Sequence, residues 1–155
     1  MFMNNPLLQH SKEEQKRQGD AKCLSGCHIL MCEDHPINAR IVRRLLEQQG
    51  CIVEWAANGQ IGFEMFEQSK PGTYDAILMD IGMPVLDGLA ATAYIRRLST
   101  KEAKAVPIIA LTANSYQADV QLSLCSGMNA HLAKPVSPRQ LYQTLAEQIK
   151  NRNKY

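Results

Sequence analysis

Charged and hydroxyl side chains stand at the ends of several apolar runs in this sequence. They are Glu33 and Asp34 after "HILMC", Asp80 in "AILMD", Thr112 in "PIIALT" and Lys134 in "AHLAK". Burying an unpaired carboxylate costs several kcal/mol, roughly, even after local relaxation, so a charge at the end of an apolar strand indicates an open crevice. Gly82 and Pro84 indicate that the chain turns directly after Asp80. We therefore expect Asp80 at the carboxyl end of a strand, facing a crevice.

The residue types in this group indicate a cation site. Three carboxylates would repel one another in a partly dry crevice, so their convergence requires a positive partner. Oxygen-only ligation with room for water suits Mg²⁺. Three negative charges against Mg²⁺ and the ammonium of Lys134 sum to zero. Asp87 is different, because its place directly before "GLAATAYI" is typical of a helix N-cap.

Strands and helices alternate along the chain. The predicted strands cover 28–32, 51–56, 75–80, 107–112 and 130–134, and the predicted helices cover 37–50, 59–68, 88–99, 115–127 and 137–150. Strands that are apolar nearly throughout suit a parallel sheet covered on both faces, and alternation implies right-handed crossovers. We therefore predict a doubly wound α/β fold, in which a functional crevice lies beyond the carboxyl ends of the strands.

Apolar spacing predicts one buried face on two helices. The first helix carries Ile37, Ile41 and Leu45, with Val42 and Leu46 beside them, and the last carries Leu141, Leu145 and Ile149. This spacing is typical of an amphipathic helix that packs one side against a sheet.

Length and charge exclude several classes of protein. At 155 residues one domain is expected, with a polar linker or extension at 1–26, the domain at 27–150 and a tail at 151–155. The net charge is only +2, and no run of basic residues alternates with aromatic residues in the sequence. Direct nucleic-acid binding is therefore not expected. No signal peptide and no run of roughly 20 apolar residues is present, which favours a cytoplasmic protein without membrane contact.

The cysteines are odd in number and scattered, at positions 23, 27, 32, 51 and 125. This pattern favours free thiols in a reducing compartment over a disulfide framework. The segment "CLSGCH" is one residue too long for the C-x-x-C-H haem attachment motif, so neither haem nor metal is expected there.

Four motifs taken together resemble a bacterial response-regulator receiver domain, over about residues 28–150. "CEDHPIN" resembles the acidic-pair turn of that family, "LMDIGMPVLDG" its phosphoacceptor segment, "ALTAN" its switch hydroxyl segment and "GMNAHLAKPV" its lysine segment. The residues "PIN" in the first motif and "LTAN" in the third most resemble those in the receivers of hybrid sensor histidine kinases.

The resemblance implies a flavodoxin-like sheet of order 2-1-3-4-5 and a phosphorelay function. Asp80 would be the phosphoacceptor, Glu33 and Asp34 would hold Mg²⁺ with Asp80 and the Gly82 carbonyl, and Thr112 and Lys134 would contact the phosphoryl group. The expected partner is a sensor histidine kinase or a histidine phosphotransfer domain, and weak homodimerisation stays open. Phosphoryl transfer to Asp80 would be self-catalysed, so a classical enzyme is not expected. No output domain is expected after "NRNKY", so a single-domain regulator, a relay intermediate and a receiver segment of a hybrid kinase all stay open, and the last is favoured.

Two residues differ from the usual pattern of the resembled family. Glu33 stands where Asp is more frequent, and His131 stands where Tyr or Phe often acts as a rotameric switch. The resemblance further implies that side chains at Gly82 and Asn114 influence the rate of dephosphorylation.

Two alternative functions remain. A phosphatase of the haloacid-dehalogenase type also forms an aspartyl phosphate with Mg²⁺, but usually needs a second Asp at the position of Gly82. A receiver-shaped interaction module would not need the set of Asp80, Thr112 and Lys134. A nucleotide-binding enzyme is disfavoured because neither of the glycine-rich phosphate-binding motifs occurs.

Overall fold

The computed structural model describes residues 24–113, 120–121, 123–124 and 126–152, and its centre is a five-stranded sheet. The strands are β1 (His28–Cys32), β2 (Ile52–Ala56), β3 (Ala76–Asp80), β4 (Ile108–Thr112) and β5 (Ala130–Ala133). All neighbouring strands pair in parallel, in the order β2-β1-β3-β4-β5. This order confirms the predicted doubly wound α/β fold, with β1 beside β3 at the point where the order reverses.

Helices connect the strands. They are α1 (Pro36–Gln48), α2 (Gly59–Gln68), α3 (Gly88–Arg97), α4 (Lys101–Ala105) and α5 (Pro138–Arg152). Residues 120–121 and 123–124 are also helical, but most of the helix predicted at 115–127 lies outside the described residues.

The helix predicted at 88–99 ends early, and α4 follows it without having been predicted. Thr100 caps α4, because its hydroxyl oxygen accepts a hydrogen bond from the backbone N–H of Ala103 at 3.1 Å. Asp87 caps α3 as expected, accepting from the N–H of Ala90 at 2.8 Å. Side chains of this kind satisfy the N–H groups that the first helical turn leaves unpaired.

The sheet is covered on both faces, because alternate residues of each strand enter two separate apolar clusters. On one face, Ile29 and Met31 pack with residues of α1 and α5. On the other face, Leu30 packs with residues of α2, α3 and α4, among them Phe66 and Ile95. The helices therefore sit in two layers around the sheet, and the carboxyl ends of the strands stay open between them.

The predicted buried face of α1 is partly wrong. Ile37 and Ile41 are 65% and 54% exposed, whereas Ala39, Val42 and Leu46 are buried against the sheet. The helix contains two apolar stripes, and the one that begins with the small Ala39 is the stripe that packs on the strands. The prediction for the last helix is confirmed, since Leu141, Leu145 and Ile149 are all buried.

The hydrophobic core includes the first described residue of the chain. Leu24 is fully buried among the residues of the α1 and α5 face, although the domain was predicted to start at 27.

Cys32 and Cys51 are buried and form no disulfide. None of the helices among the described residues is long and apolar enough to cross a bilayer.

Candidate functional site

The turn after β1 carries two of the predicted carboxylates. Glu33 is almost completely buried, at 1% exposure, and Asp34 is the more open to solvent. The backbone N–H of Glu33 donates to the carbonyl of Ala56 at 3.0 Å, and its carbonyl accepts the indole N–H of Trp55 at 2.7 Å. Two residues at the end of β2 therefore bind both backbone polar groups of Glu33 and hold this turn in place.

The side chain of Glu33 is itself engaged inside the turn. Its Oε1 accepts the backbone N–H of His35 at 3.2 Å, and its Oε2 lies 2.9 Å from Nζ of Lys134. Both oxygens of this buried carboxylate thus have a positive or N–H partner, as a buried charge requires.

Asp80 ends β3, with 5% of its surface exposed. The chain bends sharply behind it, because the N–H of Gly88 donates to the carbonyl of Ile81 at 3.0 Å. A side chain at Gly88 would collide with the backbone carbonyl of Asp80, so only glycine permits this approach. Oδ1 of Asp80 accepts the N–H of Gly82 at 3.2 Å. Gly88 was missed in the sequence because a glycine that opens a helix gives no sign of what it must approach.

Lys134 joins the two buried carboxylates. Its Nζ lies 2.9 Å from Oδ2 of Asp80 and 2.9 Å from Oε2 of Glu33. Its backbone N–H donates to the carbonyl of Thr112 at 2.8 Å, which fixes the start of the side chain beside β4. The peptide bond from Lys134 to Pro135 is cis.

These side chains surround one pocket of about 330 Å³. It is lined by all the predicted site residues except His131, namely Glu33, Asp34, Asp80, Gly82, Thr112 and Lys134, and also by His35, Asn38, Ile81 and Ala113. His35 and Asn38 were missed because nothing in their spacing distinguishes them from other residues at the start of a helix. His131 is exposed on β5, so its role as a switch stays a prediction. Asn114 lies outside the described residues.

Burial and the neighbouring charges set the ionisation of the site. Burial raises the pKa of Asp80 to about 6, with a further increase from Glu33, while the hydrogen bond from Lys134 lowers it. Burial alone would lower the pKa of Lys134, but Glu33 and Asp80 hold it above its ordinary value. At neutral pH the ammonium of Lys134 therefore lies between the side chains of Asp80 and Glu33.

The charge and donor set of the pocket fit a hard divalent cation. Glu33, Asp34 and Asp80 each offer a carboxylate oxygen, and these oxygens lie within 4.8 Å of one another. Oxygen donors at this spacing, with solvent on one side for bound water, are the environment that Mg²⁺ prefers.

Comparison with known proteins identifies the family. The model of the response regulator receiver domain matches residues 29–146. Hybrid signal transduction histidine kinase I of Dictyostelium discoideum is 37% identical over 123 residues, covering 78% of this chain and 7% of that protein. Two-component system protein A of Emericella nidulans is 40% identical over 119 residues, covering 76% of this chain and 17% of that protein. The chain thus spans a small part of these relatives.

Solved structures give the same result. The receiver domain of a sensor histidine kinase from Pseudomonas aeruginosa, crystallised with magnesium in its active-site cleft, is 40% identical with a TM-score of 0.73, covering 81% of this chain and 99% of that one. The receiver domain of the Saccharomyces cerevisiae response regulator Ssk1, crystallised with the histidine phosphotransfer protein Ypd1, is 31% identical with a TM-score of 0.70, covering 80% and 89%. The predicted family is confirmed, and this chain belongs to the response regulator receiver domains of two-component signalling.

Proposed function

We propose that this receiver domain takes a phosphoryl group from a phosphohistidine onto Asp80 and passes the signal on by a change of conformation. The observation that carries the proposal is the contact of Lys134 Nζ with Asp80 at 2.9 Å, inside a pocket that also contains Glu33 and Asp34. A carboxylate nucleophile needs a nearby positive charge to accept a phosphoryl group, whose oxygens are themselves negative.

Mg²⁺ fits the pocket. Glu33, Asp34, Asp80 and the carbonyl of Gly82 would hold it, and a relative has been crystallised with magnesium in the corresponding cleft. When bound, the cation supplies positive charge for the phosphoryl oxygens and reduces repulsion among the carboxylates.

The residues of this chain then have separate tasks. A carboxylate oxygen of Asp80 attacks phosphorus, so an O–P bond forms while the P–N bond of the phosphohistidine breaks and its electron pair stays on the imidazole. Lys134 offers its ammonium to the transferred group. The hydroxyl of Thr112, which is 3% exposed and lines the pocket, donates a hydrogen bond to the new phosphoryl oxygens. His131 is the proposed switch residue that follows the movement of Thr112.

The phosphoryl donor is a histidine phosphotransfer protein or the corresponding domain of a histidine kinase. Exposed apolar side chains stand next to the pocket on α1, where Ile37 and Ile41 follow the pocket residue His35. An apolar surface beside a reactive carboxylate suits a protein donor better than a small phosphate ester. The yeast receiver was crystallised with such a phosphotransfer protein, which supports this choice.

Mass spectrometry of the intact chain tests the proposal. Incubation with acetyl phosphate and Mg²⁺ should add one phosphoryl group, and EDTA should prevent it. Asp80→Asn should abolish the addition. Asp87→Asn is the matched control, because it makes the same chemical change in the loop after the same strand and keeps a good helix cap. Labelling that persists in Asp80→Asn, or that maps to a Ser or His, contradicts the proposal.

A further inference from the structure

Strand β2 contributes no side chain to the described lining of the pocket, yet it holds the turn that carries two of the carboxylates. The N–H of Glu33 donates to Ala56, and the carbonyl of Glu33 accepts the indole N–H of Trp55 at 2.7 Å. That carbonyl belongs to the peptide bond that joins Glu33 to Asp34. The indole therefore fixes the orientation of the peptide from which the Asp34 side chain departs.

Burial alone does not account for a tryptophan at this position. Trp55 is 39% exposed, so the exposed part of its ring contributes no free energy of stabilisation from burial of apolar surface. A phenylalanine would cover the same part of the sheet without a hydrogen-bond donor. The specific contribution of tryptophan is its N–H group, and the acceptor of that group lies in the acidic turn.

Asp34 has the greatest need of such support. Glu33 is held by His35 and Lys134, and Asp80 is held by Gly82 and Lys134. Asp34 is the most solvent-exposed carboxylate of the group, and the position of its backbone therefore limits where its oxygen can lie. A ligand set that is fixed before the cation arrives loses less conformational entropy on binding.

We propose that Trp55 is a positioning residue, whose indole N–H fixes the Glu33–Asp34 peptide and thereby raises the affinity of the pocket for a divalent cation. This inference rests on the proposed function, because it concerns the same pocket. Removing one hydrogen bond of ordinary strength should weaken Mg²⁺ binding by about three- to tenfold. The rate of phosphoryl uptake at saturating Mg²⁺ should not change, because Trp55 contacts none of the reacting groups.

The sequence allows the N–H group alone to be removed. The chain contains a single tryptophan, so growth of a tryptophan auxotroph on 3-benzothienylalanine replaces Trp55 and nothing else. This analogue keeps the two-ring shape and has sulfur where the indole has N–H. The matched control is 5-fluorotryptophan, which keeps the donor. Calorimetric Mg²⁺ titration and the Mg²⁺ dependence of uptake from acetyl phosphate are measured on all three proteins.

We expect the benzothienyl protein to need about three- to tenfold more Mg²⁺ in both assays, with an unchanged maximal rate, and the fluorinated protein to match the unmodified chain. If all three proteins bind Mg²⁺ equally, Trp55 has no positioning role, while the proposed function stands. If the unmodified chain neither binds Mg²⁺ nor takes up the phosphoryl group, the proposed function itself fails.

A second measurement needs no replacement of Trp55 and is independent of the folding of the analogue protein. In ¹⁵N-labelled protein the indole N–H gives one resonance, and its chemical shift depends on the hydrogen bond to Glu33. We expect this indole N–H to exchange slowly with solvent in the Mg²⁺-free protein, because its hydrogen bond to Glu33 is already formed. An indole N–H that exchanges as fast as that of an unfolded chain, and slows only when Mg²⁺ is added, overturns the inference.

Discussion

The carboxyl group of Asp80 ionises less readily in the folded chain than in water. Burial, with a smaller contribution from Glu33, raises its pKa from 3.8 to about 6, against the opposing effect of Lys134. An acid with a raised pKa binds its proton more tightly in the folded state than in the unfolded state. The free energy of unfolding therefore falls as the pH rises from about 4 through about 6, and stays at its lower value above that range.

Asp80→Asn should consequently stabilise the chain in the absence of divalent cations. The net shift of about two pKa units, which already includes the attraction to Lys134, corresponds to about 3 kcal/mol, so we expect a gain of about 1–3 kcal/mol at pH 7.5 and almost none near pH 4. Urea unfolding in EDTA at both pH values measures this. Asp87→Asn, at an exposed cap, should show no comparable dependence on pH. Equal stability of wild type and Asp80→Asn at pH 7.5 would show that Asp80 is not destabilised by burial.

At the scale of the elements, the orientation of α1 decides which side chains a partner protein can reach. The helix packs Ala39, Val42 and Leu46 against the sheet and leaves Ile37 and Ile41 exposed beside the acidic turn. Helix α2 also has an exposed isoleucine, Ile61, but it packs on the opposite face of the sheet. The chain thus provides a test residue and a matched control on two different helices.

Ile41→Glu should slow phosphoryl transfer from a phosphorylated histidine phosphotransfer protein by about five- to tenfold, the size expected for a residue that contributes at least 1 kcal/mol to docking. Transfer from acetyl phosphate should be unaffected, because that donor needs no docking surface. Ile61→Glu should leave both rates unchanged. Similar rates for the two variants with the protein donor would place the docking surface elsewhere.

Sequence patterns predict best the features that are decided within one element. Asp80 and Lys134 could be assigned to the crevice because each ends an apolar run and because parallel strands end at the same edge of the sheet. The buried face of α1 could not be assigned in the same way, since the helix has two apolar stripes and the packing of the whole sheet selects one of them. The hydrogen bond from Trp55 to Glu33 was missed because it joins residues 22 positions apart, and no local pattern marks it.

At the scale of the whole molecule, the two ends of the sheet differ in what they do. The pocket lies at the carboxyl ends of the strands. Near the amino end of β3, Arg152 in the last turn of α5 donates to the carbonyls of Tyr74 and Asp75 at 2.9 and 3.3 Å and pairs with Glu102 of α4. This contact connects the end of the last helix to two segments that are distant in sequence.

Arg152→Ala should lower the free energy of unfolding by about 1–2 kcal/mol, because partly buried carbonyl groups and Glu102 lose a charged donor. The Mg²⁺ concentration that gives half-maximal phosphoryl uptake should stay the same, since the pocket is at the other end of the sheet. Lys150→Ala, in the same helical turn and exposed, serves as the control in chemical denaturation. A large change in the Mg²⁺ dependence would mean that the two ends of the sheet are coupled.

The open surroundings of Gly82 lead to a prediction about the lifetime of the phosphorylated state. Gly82 is exposed, and a methyl group added to it would meet no atom within 4 Å, so water has a clear approach to a phosphoryl group on Asp80. We expect Gly82→Arg to prolong the half-life of the phosphorylated chain a few-fold and Gly82→Ala to change it little, as followed by intact-protein mass spectrometry after removal of the donor. Equal half-lives for wild type and Gly82→Arg would exclude this position as a determinant. If Gly82→Arg prolongs the half-life, the glycine of this chain would make each phosphorylation event a brief pulse that the donor must renew, and the domain would report the present activity of its partner rather than its history.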